Sequence, residues 1–236
     1  MGVQLISTVF EARDPDRLGQ FWSELLDVTP VRDNAGTLLP GDRTRAGLRF
    51  APGVGRAPDP NPTHLHLVTD SVDDQQVTVA AALARGAVPA DVGQGPDADF
   101  VVLADPEGNE FCVLLRNNYL VGTGFFGEIA GTGSRSVGLF WSQALSWPLV
   151  WDRDGETVVQ SPHGGTKVAW SGTPATRHGP RPQHLEAATD QPLGAEIDRL
   201  LALGAAVVDQ PRADSAGTES VRLADPDGYP FVLRVG

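Results

Sequence analysis

The chain has a single cysteine, Cys112, among its 236 residues. One thiol excludes an internal disulfide framework and fits a reducing cytoplasm, which is the expected compartment. No apolar run approaches the roughly 18 residues that a membrane span needs, so no membrane association is expected. The opening residues 1–14 hold only a short apolar run, broken by Gln4 and Ser7. They lack a basic segment and a small-residue cleavage site, and no signal peptide is read there. Positive charge is also scarce, because 18 Lys and Arg against 30 Asp and Glu leave a net charge of −12. Binding to a phosphate backbone draws its affinity from clustered cations, so nucleic acid is not an expected partner. What is present, 41% hydrophobic and 20% charged residues, is the composition of an ordinary globular protein. The length suits two domains of common size.

The chain repeats itself. "VVLADPEGNEFCVL" (101–114) returns as "VRLADPDGYPFVLRV" (221–235), which sets Asp105 and Asp225 120 residues apart. His64 and His184 share that spacing, and Phe21-Trp22 and Phe140-Trp141 lie 119 apart. Three anchors at nearly one offset make a duplication. The boundary is read near residues 116–124, giving domains 1–117 and 122–236. The Pro-rich stretches 57–64 and 171–184 occupy the same place in each copy and read as internal loops.

Within the first copy, residues 3–12 read as a strand, and Asp14-Pro15 then supplies an N-cap and an N1 proline to a helix. Leu18, Phe21, Trp22 and Leu25 give that helix one apolar face. A β-rich stretch follows, then the strand "THLHLVTD", a helix closed by Gly86, and a hairpin through Ala104 and Asp105. The second copy keeps this order, with Pro192 opening a helix whose Leu193, Ile197, Leu200 and Leu201 share a face. In "ADPEG" the aspartate can accept from backbone amides ahead of it, proline fixes one φ and Gly108 supplies another, so the motif reads as architecture.

A D-P-opened helix ending in F-W, an H-L-x-L strand, an L-x-x-G-A helix end and an L-A-D-P-[ED]-G-N-x-F hairpin together resemble the vicinal oxygen chelate superfamily. More narrowly they are similar to its glyoxalase-like branch, the relatives of glyoxalase I and the bleomycin-resistance proteins. The resemblance implies an α+β fold of four βαβββ modules forming two tandem glyoxalase-like domains, each curled into a cup that holds a ligand. Metal-dependent relatives take His and Glu ligands from the first, fourth, fifth and eighth strands of a domain. Those positions fall here near Ser7, His64 and Cys112 in the first copy, and near Phe126, His184 and Val232 in the second. Neither fourth strand, "AGLRFAP" or "GTKVAWS", offers a carboxylate. One histidine per cup does not make a metal site, and neither metal nor other cofactor is expected.

Strand alternation places Glu11 and Ser7 on one face, His66 beside His64, Glu128 beside Phe126, and Glu186 beside His184. Each cup then combines a histidine with a carboxylate, a pair able to exchange protons near neutrality. Cys112 reads as a small hydrophobe, since no cationic neighbour is evident to activate it. Trp147, Trp151 and Trp170 lack counterparts in the first copy and read either as walls of the second cup, suited to a planar or aromatic ligand, or as packing between the domains. His163 and His178 lie in Gly/Pro-rich loops.

The expected function is a metal-independent protein that holds a small organic molecule. The alternative is a metal-independent lyase, isomerase or cyclase using His184 with Glu186 or Glu128, or His64 and His66 with Glu11. A second alternative is a divalent-metal enzyme of the glyoxalase or dioxygenase kind. Single-domain relatives often dimerise to complete their cups, so the fused copies imply a monomer with an internal pseudo-dimer.

Overall fold

A computed structural model describes residues 2–55, 62–95, 97–173, 182–213 and 217–236. His178 and most of the two Pro-rich stretches therefore lie outside the described residues. The elements of the first copy are β1 (Gln4–Ala12), α1 (Pro15–Leu26), β2 (Val31–Asp33), β3 (Gly36–Leu39), β4 (Gly47–Pro52), β5 (Thr63–Thr69), α2 (Val72–Ala84), β6 (Val88–Pro89), β7 (Val101–Ala104) and β8 (Glu110–Leu115). A 3-10 turn, Asn118–Leu120, leads into the second. There follow β9 (Phe126–Thr132), α3 (Arg135–Leu145), β10 (Leu149–Arg153), β11 (Glu156–Gln160), β12 (Lys167–Ser171), β13 (Gln183–Thr189), α4 (Leu193–Ala202), β14 (Ala206–Val207), β15 (Arg212–Ala213), β16 (Glu219–Ala224) and β17 (Pro230–Val235).

Local chemistry sets the helices. Asp14 caps α1 by accepting from the Arg17 amide at 3.0 Å, and Pro15 occupies the first turn, where no amide is needed. Leu18, Phe21 and Trp22 are buried, whereas Leu25 is only partly so. In α4, Leu193 and Leu200 are buried, but Leu201 is 38% exposed and lies off the face expected for it. One residue turns a helix by about 100°, so adjacent leucines cannot share a narrow stripe. Gly86 and Gly204 follow α2 and α4 with φ of +101° and +109°, a conformation that costs glycine nothing.

The strands form two sheets, and each draws on both copies. Sheet A runs β14-β16-β17-β13-β1-β4-β3-β2, with β15 beside β16. Sheet B runs β10-β11-β12-β9-β5-β8-β7-β6. The joins are antiparallel, β1 with β13 and β5 with β9, and each carries a register shift, between Leu5 and Ser7 and between His66 and Leu67. The first module of one copy thus shares a sheet with the last module of the other. Modules pair across the copies, as an internal pseudo-dimer would have them. Gln183 pins the sheets at their meeting point by exchanging two hydrogen bonds of 3.1 Å with the Thr63 backbone.

Each copy nevertheless keeps an aromatic core of its own. Trp22 packs edge-on against Phe111 at 5.0 Å, and Trp141 against Phe231 at the same 5.0 Å. The helices cover one side of each sheet, where Phe10, Leu48, Phe50, Leu65, Leu67 and Phe231 are buried. Alternation then assigns Ser7, Val9, Arg49, His64, His66, Cys112, Glu128, Lys167, His184 and Glu186 to the helix-free sides.

The repeated Asp-Pro-acid-Gly belongs to this architecture. Asp105 accepts from the amides of Glu107 and Asn109 at 3.0 and 2.9 Å, and from the Trp22 indole at 3.1 Å. Burial pushes its carboxyl pKa up, against the pull of those donors. The acid two residues on reaches back to the start of the preceding module's helix. Glu107 accepts from the Asp14 amide at 3.0 Å, and Asp227 from the Ser134 amide at 2.6 Å.

Candidate functional site

The helix-free side of sheet B carries the denser cluster of reactive groups. β5 presents His64 and His66 two residues apart, so both rings point the same way, with centroids 4.8 Å apart. β8 lies parallel to β5 and sets Cys112 opposite His66; β9 lies antiparallel on the other flank and sets Glu128 opposite the same histidine. The donor atoms of His64, His66 and Cys112 all fall within 4.8 Å of one another. His66 Nδ1 meets Glu128 Oε2 at 2.7 Å, and Tyr119 donates its hydroxyl to Glu128 Oε1 at 2.5 Å.

Glu128 is 1% exposed, so its charge is taken up by these partners rather than by water. Lys167, the only lysine of the chain, is buried next to it and donates to the Tyr119 carbonyl. Burial lowers the Lys167 pKa, opposed by Glu128 and Glu156. Glu156 is pushed up by burial and by the charge of Glu128, and Tyr119 is pushed far up by burial and Glu128. Trp151 stands edge-on to Tyr119 at 5.2 Å, with the Arg153 guanidinium 3.7 Å above its ring.

The two histidines are driven apart. Burial, helped by the neighbouring charge of His66, holds His64 down at about 4, so it is neutral near neutral pH. Burial also opposes a charge on His66, but hydrogen bonds to Cys112 and Glu128 and the Glu128 charge outweigh it and hold His66 up at about 9. A neutral and a charged imidazole therefore stand side by side.

The corresponding side of sheet A is built differently. Ser7 donates to Glu186 Oε2 at 2.8 Å, Arg49 Nε meets the same oxygen at 3.2 Å, and Arg234 reaches Glu186 Oε1 at 3.2 Å. Arg49 also holds Asp33 through Nη1 at 2.8 and 2.9 Å. His184 is held down at about 4 by burial and by the charge of Arg222.

These placements redistribute the residues expected to act together. Glu11 lies on sheet A with its carboxylate against Gly53, on a different sheet from His64 and His66. Glu128 meets His66 rather than His184, and Ser7 meets Glu186 rather than His64. The reason is that strands of the two copies share each sheet: on sheet B a carboxylate of the second copy meets a histidine of the first, and on sheet A a serine of the first copy meets a carboxylate of the second. Phe126 shares the helix side with Leu67, its register partner, because the irregularity between His66 and Leu67 breaks the alternation that was to put it beside Glu128. Trp170 is 6% exposed and stacks on Trp141 at 6.4 Å with a 2° interplanar angle, and both rings border a small cavity together with His184 and Tyr229. Trp147 and His163 line a groove of about 640 Å³ with Gly2, Leu38, Arg43 and Arg45, away from both histidine faces. Of the three extra tryptophans, Trp151 stands nearest the sheet B cluster.

Tyr119, Lys167, Glu156, Arg49, Arg222 and Arg234 were not anticipated. A charged residue inside an otherwise apolar strand, as in "GLRFAP" or "TKVAW", is the signal that could have found two of them.

A duplicated α+β protein that exchanges strands between its copies, with a polar cluster on the helix-free side of each sheet, is defined by this geometry. Residues 7–114 and 129–234 each match the family described as the glyoxalase-like domain, and the chain belongs to that family. No curated protein matches it. Among solved structures it is similar to glyoxalase I from Zea mays, with a TM-score of 0.65 at 16% identity, covering 99% of this chain and 92% of that one. It is also similar to a candidate dioxygenase from Bacillus subtilis, with a TM-score of 0.62 at 13% identity over 99% and 85% of the two chains. Both likenesses are of fold alone.

Proposed function

We propose that this chain binds a small organic molecule on the helix-free side of sheet B and moves a proton on it, as an isomerase or lyase does. The observation that carries this reading is the 2.7 Å contact of His66 with Glu128, drawn from opposite copies beside a second imidazole. Groups whose environments push their proton affinities apart divide naturally into acid and base. His66, kept charged by Glu128, is the proton donor, and neutral His64 is the acceptor. Glu128 fixes His66 through Nδ1, and Tyr119 fixes Glu128 through Oε1. Trp151 and Tyr119 supply an aromatic flank suited to a planar ligand. Each proton transfer is worth about 10²- to 10⁴-fold in rate.

The test pairs binding with exchange. Compounds with enolisable carbonyls are screened by tryptophan quenching, and those that bind are incubated in D2O and followed by proton NMR. Deuterium incorporation that disappears in His66→Gln and His64→Ala is expected. A compound that binds tightly and never exchanges returns the protein to the class of simple binders.

A second reading rests on the convergence of three donor atoms. The expectation of no metal counted one ligand per cup, and that count does not hold for sheet B. His64, His66 and Cys112 offer two nitrogens and a sulfur, a set that fits a borderline divalent ion such as zinc, with Glu128 behind His66 in the supporting position. Bound there, such an ion would polarise a ligand carbonyl. Stoichiometric metal in the purified protein, with a thermal shift lost in Cys112→Ser, supports this reading; no metal and no shift removes it.

A further inference from the structure

Sheet A leaves two buried polar atoms without partners at one place. The Nε of Arg222 and the Nδ1 of His184 are shielded from solvent and have no hydrogen-bond partner among the described residues. Buried polar groups are overwhelmingly paired, so two orphans close enough for the Arg222 charge to act on His184 call for an explanation. Arg222 sits on β16 opposite Val232, which itself stands opposite Glu186 on β13, so all three share the helix-free side.

The local carboxylates are already committed. Both oxygens of Glu186 are taken, one by Ser7 and Arg49 and the other by Arg234. Asp33 is held by Arg49 through both of its oxygens. Arg49 and Arg234 are paired with these carboxylates, and Glu11, on the same side of β1, lies against Gly53. Arg222 has no ion pair among the described residues, so its charge is unanswered there. The matching position in the other sheet is Val102, which stands opposite Cys112 and is 3% exposed, so this cation belongs to one copy only.

We propose that the helix-free side of sheet A binds a carboxylate group of a small organic acid, held side-on by the guanidinium of Arg222 and by an imidazole N–H of His184. The Nε edge of a guanidinium presents two parallel N–H groups that match the two oxygens of a carboxylate. A single unanswered charge favours a monoanion over a phosphate dianion. The site is independent of the proton-transfer reading, because it shares no residue with sheet B.

The full-length protein is titrated with acetate, benzoate, phenyl phosphate and inorganic phosphate by calorimetry at neutral pH, up to about 10 mM, the range of a weak single-ion contact. Benzoate is expected to bind, and Arg222→Met to weaken it by about 10- to 100-fold, the worth of a charged hydrogen-bonded contact. Arg222→Lys, which keeps the charge and loses the fork, is expected to lose most of that affinity too, and it serves where the Met variant folds poorly. His66→Gln and the exposed Arg212→Met are expected to bind benzoate like the parent. The proposal is overturned by absence of carboxylate binding, by affinity unchanged in both Arg222 variants, or by phenyl phosphate binding more than about tenfold tighter than benzoate. Loss of benzoate binding in His66→Gln would place the anion on sheet B instead.

Discussion

Replacing Glu128 with Gln keeps the volume of a side chain that is 1% exposed and removes its charge. Glu128 accepts from Tyr119 and from His66, and an amide has one oxygen to serve both. His66 is then a buried cation with no counter-charge at its Nδ1. Burial alone favours the neutral ring, so the proton leaves. In the parent, His66 is held at about 9, so giving up that proton near pH 7 costs about two pH units, or about 3 kcal/mol. A histidine whose folded pKa lies above its unfolded value of 6.5 adds stability that is complete below 6.5 and is lost as pH rises through about 9. Urea denaturation of chelator-treated protein measures this directly. Glu128→Gln is expected to be less stable than the parent by about 3 kcal/mol near pH 7, with the deficit shrinking to about 1 kcal/mol above pH 9, the residue of a lost hydrogen bond. An equal deficit at both pH values would refute the reasoning, because the charge pair would then contribute nothing.

On the acid side the sign reverses. His64 and His184 are held at about 4, so the unfolded chain binds more protons between 4 and 6.5, and stability should rise with pH across that window. His184→Leu is expected to remove up to about 3 kcal/mol of that rise, read as the change in urea midpoint with pH. Trp22→Phe takes a donor from buried Asp105 and should destabilise the protein by about 1 to 3 kcal/mol in thermal or urea unfolding, with the helical circular dichroism retained. A methyl at Gly138 would stand 2.1 Å from the Thr157 hydroxyl, so Gly138→Ala should cost about 1 to 3 kcal/mol, and Gly138→Ala with Thr157→Ala, which removes that hydroxyl, should recover part of it.

The sequence made the modules legible because their signals are local. Asp14-Pro15, Gly86, Gly204 and the two Asp-Pro-acid-Gly turns each act within a few residues, and the structure shows them capping, ending and turning as chemistry dictates. The duplication was legible because a fixed offset needs no knowledge of folding. What the sequence did not carry was which sheets those modules join. β1 could pair with a strand of its own copy or of the other, and both choices satisfy the same alternation of apolar residues. That ambiguity decided the site, since exchange of strands moves Glu128 to His66 and Ser7 to Glu186. Two further details escaped for smaller reasons. A one-residue irregularity beside His66 turned Phe126 to the core, and Tyr119 lies in the turn between copies, where no periodicity points toward a site.

Proton NMR titration of the five histidines in the chelator-treated protein tests the central claim most directly, that sheet B holds a charged and a neutral imidazole side by side. The account predicts one ring titrating near 9, lost in His66→Gln, and two near 4, one of them lost in His64→Ala. If His64 and His66 both titrate close to the ordinary value of 6.5, the pair is not divided into acid and base, and the proposed chemistry has no foundation.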